Sequence, residues 1–548
     1  MQETLLRCEK ARGFPFSEYR KKIRRSIEEP RTHTVAPNRQ FPKASKSTST
    51  SARTKLVVVL IAFITAACQA VAGRLNESGH PNSDRRLEFG EFGASEIPDL
   101  ASDPEPWPDW AFMPWAWEDE STQQSVLDLA EGYVSRGIPL GAVIIDSPWE
   151  TGYNTFDPDP ERFPDMTDLI GSLHSRGIRV LLWITGFVNA DVQPLYDEIA
   201  SRGWFMAADE SGRPKVVRWW KGTGSLIDFF NPDAVKFWES LMDKAFAMGA
   251  DGWKVDMTDP YAALAPYSPY ERRRVSVLEY ARRYYGVIYA HTKRRLGRNG
   301  VVTARPVDVN RKDPGEASAV FHSHAPLEAG WAGWVGDQVS TFDSEHYTGI
   351  RGALLNYYYS SRLGYLAFGS DIGGYIGVPG PSLDVELFLR WAALGAFSPI
   401  MENGGIAEHR PWAYGERTTQ IYKRFALLHQ ALVPYLLEHA PPRYAARQSL
   451  MEFTDRRSFS YLLGPDIFVQ PITSRCGCAK VALPGEGRWV YLFDRAKVYE
   501  PNASFEARFE LDEFPVFVRE GSRVLEALAA VLDKEDEAAT SAGSPQVD

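Results

Sequence analysis

The sequence predicts an α/β chain: a (β/α)8 barrel of the TIM type followed by a small β-sandwich, preceded by a signal anchor or signal peptide. Three observations carry that prediction. Beyond residue 100, short apolar β-branched runs alternate with longer amphipathic segments over about 320 residues, which implies parallel strands joined by crossover helices. No glycine-rich phosphate loop follows the first strand, so a doubly wound nucleotide-binding sheet is the weaker alternative. From about residue 440 the strands become short and are broken by Gly, Pro, Asp and Asn, as in an antiparallel sandwich.

Taken in order, residues 1–55 form a basic leader with 14 Lys and Arg against 5 Asp and Glu. Leu56–Gly73 follows, 18 residues without a charge, at the lower edge of the ~20 needed to span a bilayer. A signal anchor with its basic side cytoplasmic fits this pattern. So does a cleaved signal, because Ala70-Val71-Ala72 offers a small-residue cleavage site. Either reading sends the rest of the chain into the secretory pathway, as a single-pass type II membrane protein or a secreted one. The sequons at Asn76 and Asn502 are compatible with glycosylation there. Residues 74–106 read as a linker, 107–438 as the barrel, 439–528 as the sandwich and 529–548 as a disordered tail.

Within the barrel, strands are predicted at Ala142–Ile145, Arg179–Trp183, Gly252–Val255, Val301–Thr303, Gly364–Phe368 and Gly395–Ile400. Trp110–Met113 and Trp331–Val335 bring the count to eight. Helices are predicted over Thr122–Ser135, from Asn231-Pro232 to a stop at Gly249, and over Ser276–Leu296, Ser344–Arg362 and Ser382–Leu394. Sandwich strands are expected at Phe459–Leu463, Ile467–Val469, Arg488–Leu492, Phe505–Leu511 and Val516–Val518.

Composition narrows the chemistry. Outside the leader, 47 basic residues face 66 acidic ones, a net of −19 that argues against nucleic-acid binding. Four Cys without a CxxC pair exclude a disulfide scaffold and a thiolate zinc site. Cys476-Gly-Cys478 could close a strained disulfide, but free thiols are the expected state. No His, Asp or Glu grouping has metal-ligand spacing, no Ser-centred nucleophile elbow is present, and no cofactor is expected. What remains is carboxylates among aromatics at the predicted strand ends: Asp146, Trp183, Asp256, Arg305, Asp337 and Asp371. Glycoside hydrolysis uses such a set, with one carboxylate as nucleophile, one carboxylic acid as proton donor and flat rings against the sugar. Taken alone, the same carboxylates also suit metal binding, helix capping or pairing with arginine.

Several segments, in matching order, resemble glycoside hydrolase family 31, the α-glucosidase and α-xylosidase family. Gly252-Trp-Lys-Val-Asp-Met-Thr-Asp259 is similar to its nucleophile segment, and Trp334-Val-Gly-Asp-Gln338 to its acid/base segment. Phe368-Gly-Ser-Asp-Ile-Gly-Gly-Tyr375 is similar to its Asp-Ile-Gly-Gly-Phe loop. Pro139–Trp149, Phe156–Pro164, Val180–Ile184 and Asp228–Pro232 match further barrel motifs. Tyr461–Val469 and Phe514–Gly521 match the sandwich, so the resemblance spans roughly 107–525. It implies Asp256 as nucleophile and Asp337 as general acid/base. It also implies that Asp146, Trp183, Arg305 and Asp371 line the first sugar subsite, with Trp334 as a wall beside Asp337. Lys254 is similar to the α-xylosidase branch.

Three departures accompany the resemblance. Members place an Arg-x-His pair after the eighth strand, where this chain has Glu402 and Gly404; His409 is a candidate replacement ligand for the sugar. The segment between Arg305 and Asp337 is unusually long. The roughly 35 residues between Gly73 and the barrel are too few for the family's N-terminal β-sandwich, so the expectation is either an incomplete gene model or a branch that works without that domain. The expectation is a retaining exo-α-glycosidase acting on terminal glucose, xylose or galactose of an oligosaccharide or glycoside. The alternative is a non-catalytic, lectin-like or regulatory membrane protein on the same barrel.

Overall fold

The computed structural model describes residues 107–256, 264–305, 325–342, 349–377 and 383–542. The leader, the uncharged run 56–73 and the linker lie outside the described residues, as do Asn76 and most of the long segment after Arg305.

Eight parallel strands form the barrel: β1 (Trp115–Glu118), β2 (Ala142–Ile145), β3 (Arg179–Ile184), β4 (Gly252–Val255), β5 (Val301–Ala304), β6 (Ala332–Trp334), β7 (Ala367–Gly369) and β8 (Glu402–Asn403). Their order is β7-β6-β5-β4-β3-β2-β1-β8. The ring closes where β8 pairs with Trp115 and Ala116 of β1, and where Asp371, just beyond β7, bridges Glu402. Runs such as Ala-Val-Ile-Ile in β2 are buried along their whole length, as expected of parallel strands covered on both faces. Gly252 starts β4 because the Val301 carbonyl lies 1.7 Å from where a Cβ would sit.

The outer helices have the ends that their sequences predict. Thr122 caps α1 (Gln123–Ser135) in a reciprocal pair with Ser125. Helix α2 (Met166–Ser175) follows β2. Asn231 accepts from the first backbone N–H groups of α3 (Pro232–Met248), and Gly249 ends it at φ +104°. Ser276 and Glu279 box the start of α4 (Val277–Leu296). Next come α5 (Ile350–Leu363), α6 (Val385–Ala396), capped by Asp384, and α7 (Glu416–Ala445).

Two strands differ from the sequence prediction. Trp110–Met113, enclosed by Pro108 and Pro114, lies in a 3-10 turn over Asp109–Phe112, and β1 starts after the second proline. Gly395–Ile400 is not a strand, because α6 runs on to Ala396 and β8 is delayed to Glu402. Both errors arise because a short apolar run suits helix, turn or strand equally. Gly364 is the left-handed cap of α5, so β7 begins three residues later than predicted.

The C-terminal part holds β9 (Met451–Phe453), β10 (Tyr461–Leu463), β11 (Ile467–Val469), β12 (Cys478–Ala482), β13 (Trp489–Tyr491), β14 (Val498–Tyr499), β15 (Ser504–Arg508) and β16 (Val516–Arg519). Six form an antiparallel sheet, β9-β10-β11-β16-β13-β14, and β12 pairs with β15 as a separate ribbon. Tyr461 in this sheet donates its hydroxyl to the Phe397 carbonyl below the barrel, at 2.9 Å. The predicted disordered tail is corrected over 529–542, where the chain is helical: α8 spans Arg523–Ala542. Leu528 and Leu532 are buried, and Asp536 pairs with Arg424 of α7 at 3.1 Å. Alanine and acidic residues read as low complexity, yet they also form the polar face of an amphipathic helix.

Candidate active site

The site is built on consecutive strand ends of β2 to β6. Residues two apart on a strand share a face, so Lys254 and Asp256 both point into the barrel mouth at the end of β4. Asp256 is held from several directions. Its backbone N–H donates to the Ile184 carbonyl at 2.9 Å, and Tyr284 of α4 donates to its carbonyl at 2.7 Å. The indole N–H of Trp183 donates to its Oδ2 at 3.0 Å, and Arg305 Nε donates to its Oδ1 at 2.9 Å. Donors therefore reach both carboxylate oxygens, and such charge-assisted bonds are strong and directional.

Asp337 follows β6, and its side chain is 37% exposed. Arg305 links it to Asp256: Nη2 is 2.9 Å from Asp256 Oδ1 and 2.9 Å from Asp337 Oδ1. Those two oxygens are thus no further apart than twice that distance. The guanidinium itself lies over the Trp334 ring, 4.9 Å from its centroid.

Beneath this pair is a buried, charged floor. Lys254 Nζ is 3.0 Å from Asp146 Oδ2 and 3.9 Å from Glu402 Oε1. It sits 3.6 Å above the Trp117 ring and 5.0 Å from that of Trp334. Burial opposes its charge, but Asp146, Asp371, Glu402 and Asp256 together hold its pKa above the ordinary lysine value. Burial raises the Asp146 carboxyl, with Lys254 opposing the shift.

Asp371 and Glu402 are 1% and 0% exposed, and among the described residues no group donates a hydrogen bond to their four carboxylate oxygens. Burial pushes Asp371 well up and Glu402 up to about 7. Two adjacent buried carboxylates do not both stay ionised beside one lysine.

The structure thus brings Asp146, Trp183, Lys254, Asp256, Arg305 and Asp337 together around one crevice. Asp371, Glu402 and Trp334 pack against the same cluster and are 1%, 0% and 0% exposed. The expectation that His409 replaces the missing histidine is not met. Its Nδ1 is 2.8 Å from the Ala407 carbonyl and its Nε2 3.3 Å from that of Gly374, so it braces the loops after β7 and β8. Burial lowers its pKa to about 4.

Sequence reasoning missed Trp117, because the first strand was placed too early. Its ring stacks on Tyr375 at 5.8 Å and occupies the space a side chain at Gly404 would need, 2.3 Å from that Cβ position. Tyr284 was also missed; only its helical spacing was readable. Among the described residues, no group of three or more His, Cys, Asp or Glu is arranged to hold a metal ion.

Comparisons with known proteins show the family of this barrel. The family 31 glycosyl hydrolase TIM-barrel domain matches residues 104–439, and the family's C-terminal domain matches 444–524. An α-xylosidase of Emericella nidulans is 26% identical over 451 residues, covering 77% of this chain and 54% of the relative. Human neutral α-glucosidase C is 24% identical, covering 74% and 45%. The chain therefore spans about half the length of the curated relatives it matches. Among solved structures, a soil-metagenome α-xylosidase complexed with xylose superposes with a TM-score of 0.62 at 21% identity, covering 77% of this chain and 65% of the other. A Flavobacterium johnsoniae dextranase complexed with glucose gives 0.63 at 19%, covering 76% and 52%. With the barrel model matched over more than half of the chain and the C-terminal model directly after it, the chain belongs to glycosyl hydrolase family 31.

Proposed function

We propose that the chain is a retaining, exo-acting α-glycosidase that hydrolyses terminal α-linked sugars through a covalent glycosyl-aspartate. The observation that carries this is the single Arg305 nitrogen bonded to both Asp256 and Asp337. It holds their Oδ1 atoms within twice 2.9 Å of each other, short of the ~6.5–9.5 Å that an inverting water needs and compatible with the ~5–5.5 Å that retention uses. Asp256, bound by Trp183 and Arg305, attacks the anomeric carbon. Asp337, the more exposed of the two, protonates the departing oxygen and later takes the proton from the incoming water. Asp146 and Lys254, paired at 3.0 Å, form the polar floor beneath the two carboxyl groups. Xylose and glucose are the terminal sugars favoured by the α-xylosidase and α-glucosidase names among the relatives, and galactose stays in the test.

Hydrolysis of nitrophenyl α-xyloside, α-glucoside and α-galactoside by the full chain tests the reading. Turnover of one of them that disappears in Asp256→Ala supports it. No turnover of any, with sugar binding retained, would replace it by the lectin-like alternative.

A further inference from the structure

The turn before β12 carries a feature that glycosidase chemistry does not use. Cys476 and Cys478 are both free and exposed, two residues apart around Gly477, and they face one another. The Cys478 N–H donates to Cys476 Sγ at 3.2 Å, and the Cys478 thiol reaches back to the Cys476 carbonyl at 3.4 Å. The Ser474 hydroxyl is 3.5 Å from Cys476 Sγ. The two sulfurs are thus inequivalent: one collects donors, and the other supplies one.

The turn is also held in place. Gly477 has φ +64°, and a Cβ there would sit 2.5 Å from Arg390 Nη2 and 2.6 Å from the Phe509 carbonyl. Phe509 N–H donates to the Gly477 carbonyl at 3.0 Å. Arg390, buried on α6, donates to the Phe509 and Glu510 carbonyls at 2.7 Å each, and Arg475 pairs with Asp384, the cap of α6. Little backbone freedom therefore remains to be lost when the two sulfurs meet.

From this geometry we infer that Cys476 and Cys478 form a redox-active dithiol, with Cys476 the attacking thiol and Cys478 the resolving one, that closes into a disulfide against a glutathione-type disulfide. The Cys476 thiolate attacks one sulfur of that oxidant. One small thiolate is expelled and takes up a proton, leaving a mixed disulfide on Cys476. Cys478 then loses its proton and attacks the Cys476 sulfur, and the second small thiol departs. The protein pair gives up two electrons and two protons, and the oxidant gains both as two thiols. Hydrogen bonds from the Cys478 thiol, the Ser474 hydroxyl and the Cys478 N–H hold the Cys476 thiol below its ordinary value. The same contact with Cys476 raises Cys478. An exposed low-pKa thiol beside a resolving partner is the arrangement that redox-responsive sites use.

The test equilibrates the folded full chain in reduced and oxidised glutathione mixtures, alkylates it, and weighs the tryptic peptide Cys476–Lys480. As the buffer becomes more oxidising, the doubly alkylated peptide should give way, without a singly alkylated stage, to an unalkylated peptide two hydrogens lighter than the free dithiol. A glutathione adduct should be trapped on Cys476 in Cys478→Ser, and form several-fold more slowly on Cys478 in Cys476→Ser. In Ser474→Ala, alkylation of Cys476 should slow several-fold while that of Cys478 is unchanged. Equal alkylation rates at the two thiols, or stable glutathione adducts on both without ring closure, would overturn the assignment.

Discussion

At the scale of single residues, the two carboxylates proposed to react differ in what surrounds them, and their replacements should differ accordingly. Asp256→Ala removes the proposed nucleophile, so turnover should fall below detection for every substrate. Asp337→Ala should cost ~10²–10⁴-fold with a poor leaving group, the usual worth of general acid catalysis. It should cost far less in the first step with a nitrophenolate, which departs with little help from a proton. Rates on paired activated and unactivated glycosides check this; equal losses on both would remove Asp337 from the acid role.

Glu402 gives a second residue-scale prediction, read in stability. Its carboxyl is raised from 4.5 to about 7 in the folded chain. Below the lower value it is protonated whether folded or not; between the two, only the folded chain keeps the proton. The stability tied to that proton is complete below about 4.5 and lost as pH rises through about 7. Glu402→Gln cannot ionise, so its unfolding free energy relative to the parent should increase steadily across that window. A difference independent of pH would mean that Glu402 stays ionised beside Lys254.

At the scale of elements, packing decides what can be replaced. Gly252→Ala would press a methyl group into the Val301 carbonyl across the β4–β5 ladder. It should destabilise the barrel by about 1–3 kcal/mol or more, measured as a shift in the denaturant midpoint. Leu528, on α8, is fully buried, and Leu528→Ala should cost ~2–5 kcal/mol. A change near zero would mean that α8 is not docked in solution.

These elements also show what could be read in advance. Helix ends were legible because Thr122, Asn231, Ser276 and Gly249 act through local hydrogen bonds and φ preferences. Strands β2 to β5 were legible from β-branched runs. β1, β8 and α8 were not, because their boundaries depend on the ring closing and on α7 offering a surface, which are long-range facts. The site divides the same way. Asp146, Asp256, Arg305 and Asp337 follow directly from strand ends, whereas the exchange that fits Trp117 over Gly404 involves two segments far apart in sequence.

At the scale of the whole molecule, the chain combines a family 31 barrel and C-terminal sheet with a basic leader and an uncharged run. The topology proposed from the sequence leaves residues 1–55 cytoplasmic and translocates everything after Gly73. Protease treatment of intact microsomes should then spare the barrel and digest it once detergent is added; digestion without detergent would reverse the orientation. The central claim, retention through a glycosyl-Asp256 intermediate, is tested most directly by proton NMR of the sugar first released from a terminal α-glycoside. The account predicts that the α-anomer appears first and only later equilibrates. The β-anomer appearing first would contradict it.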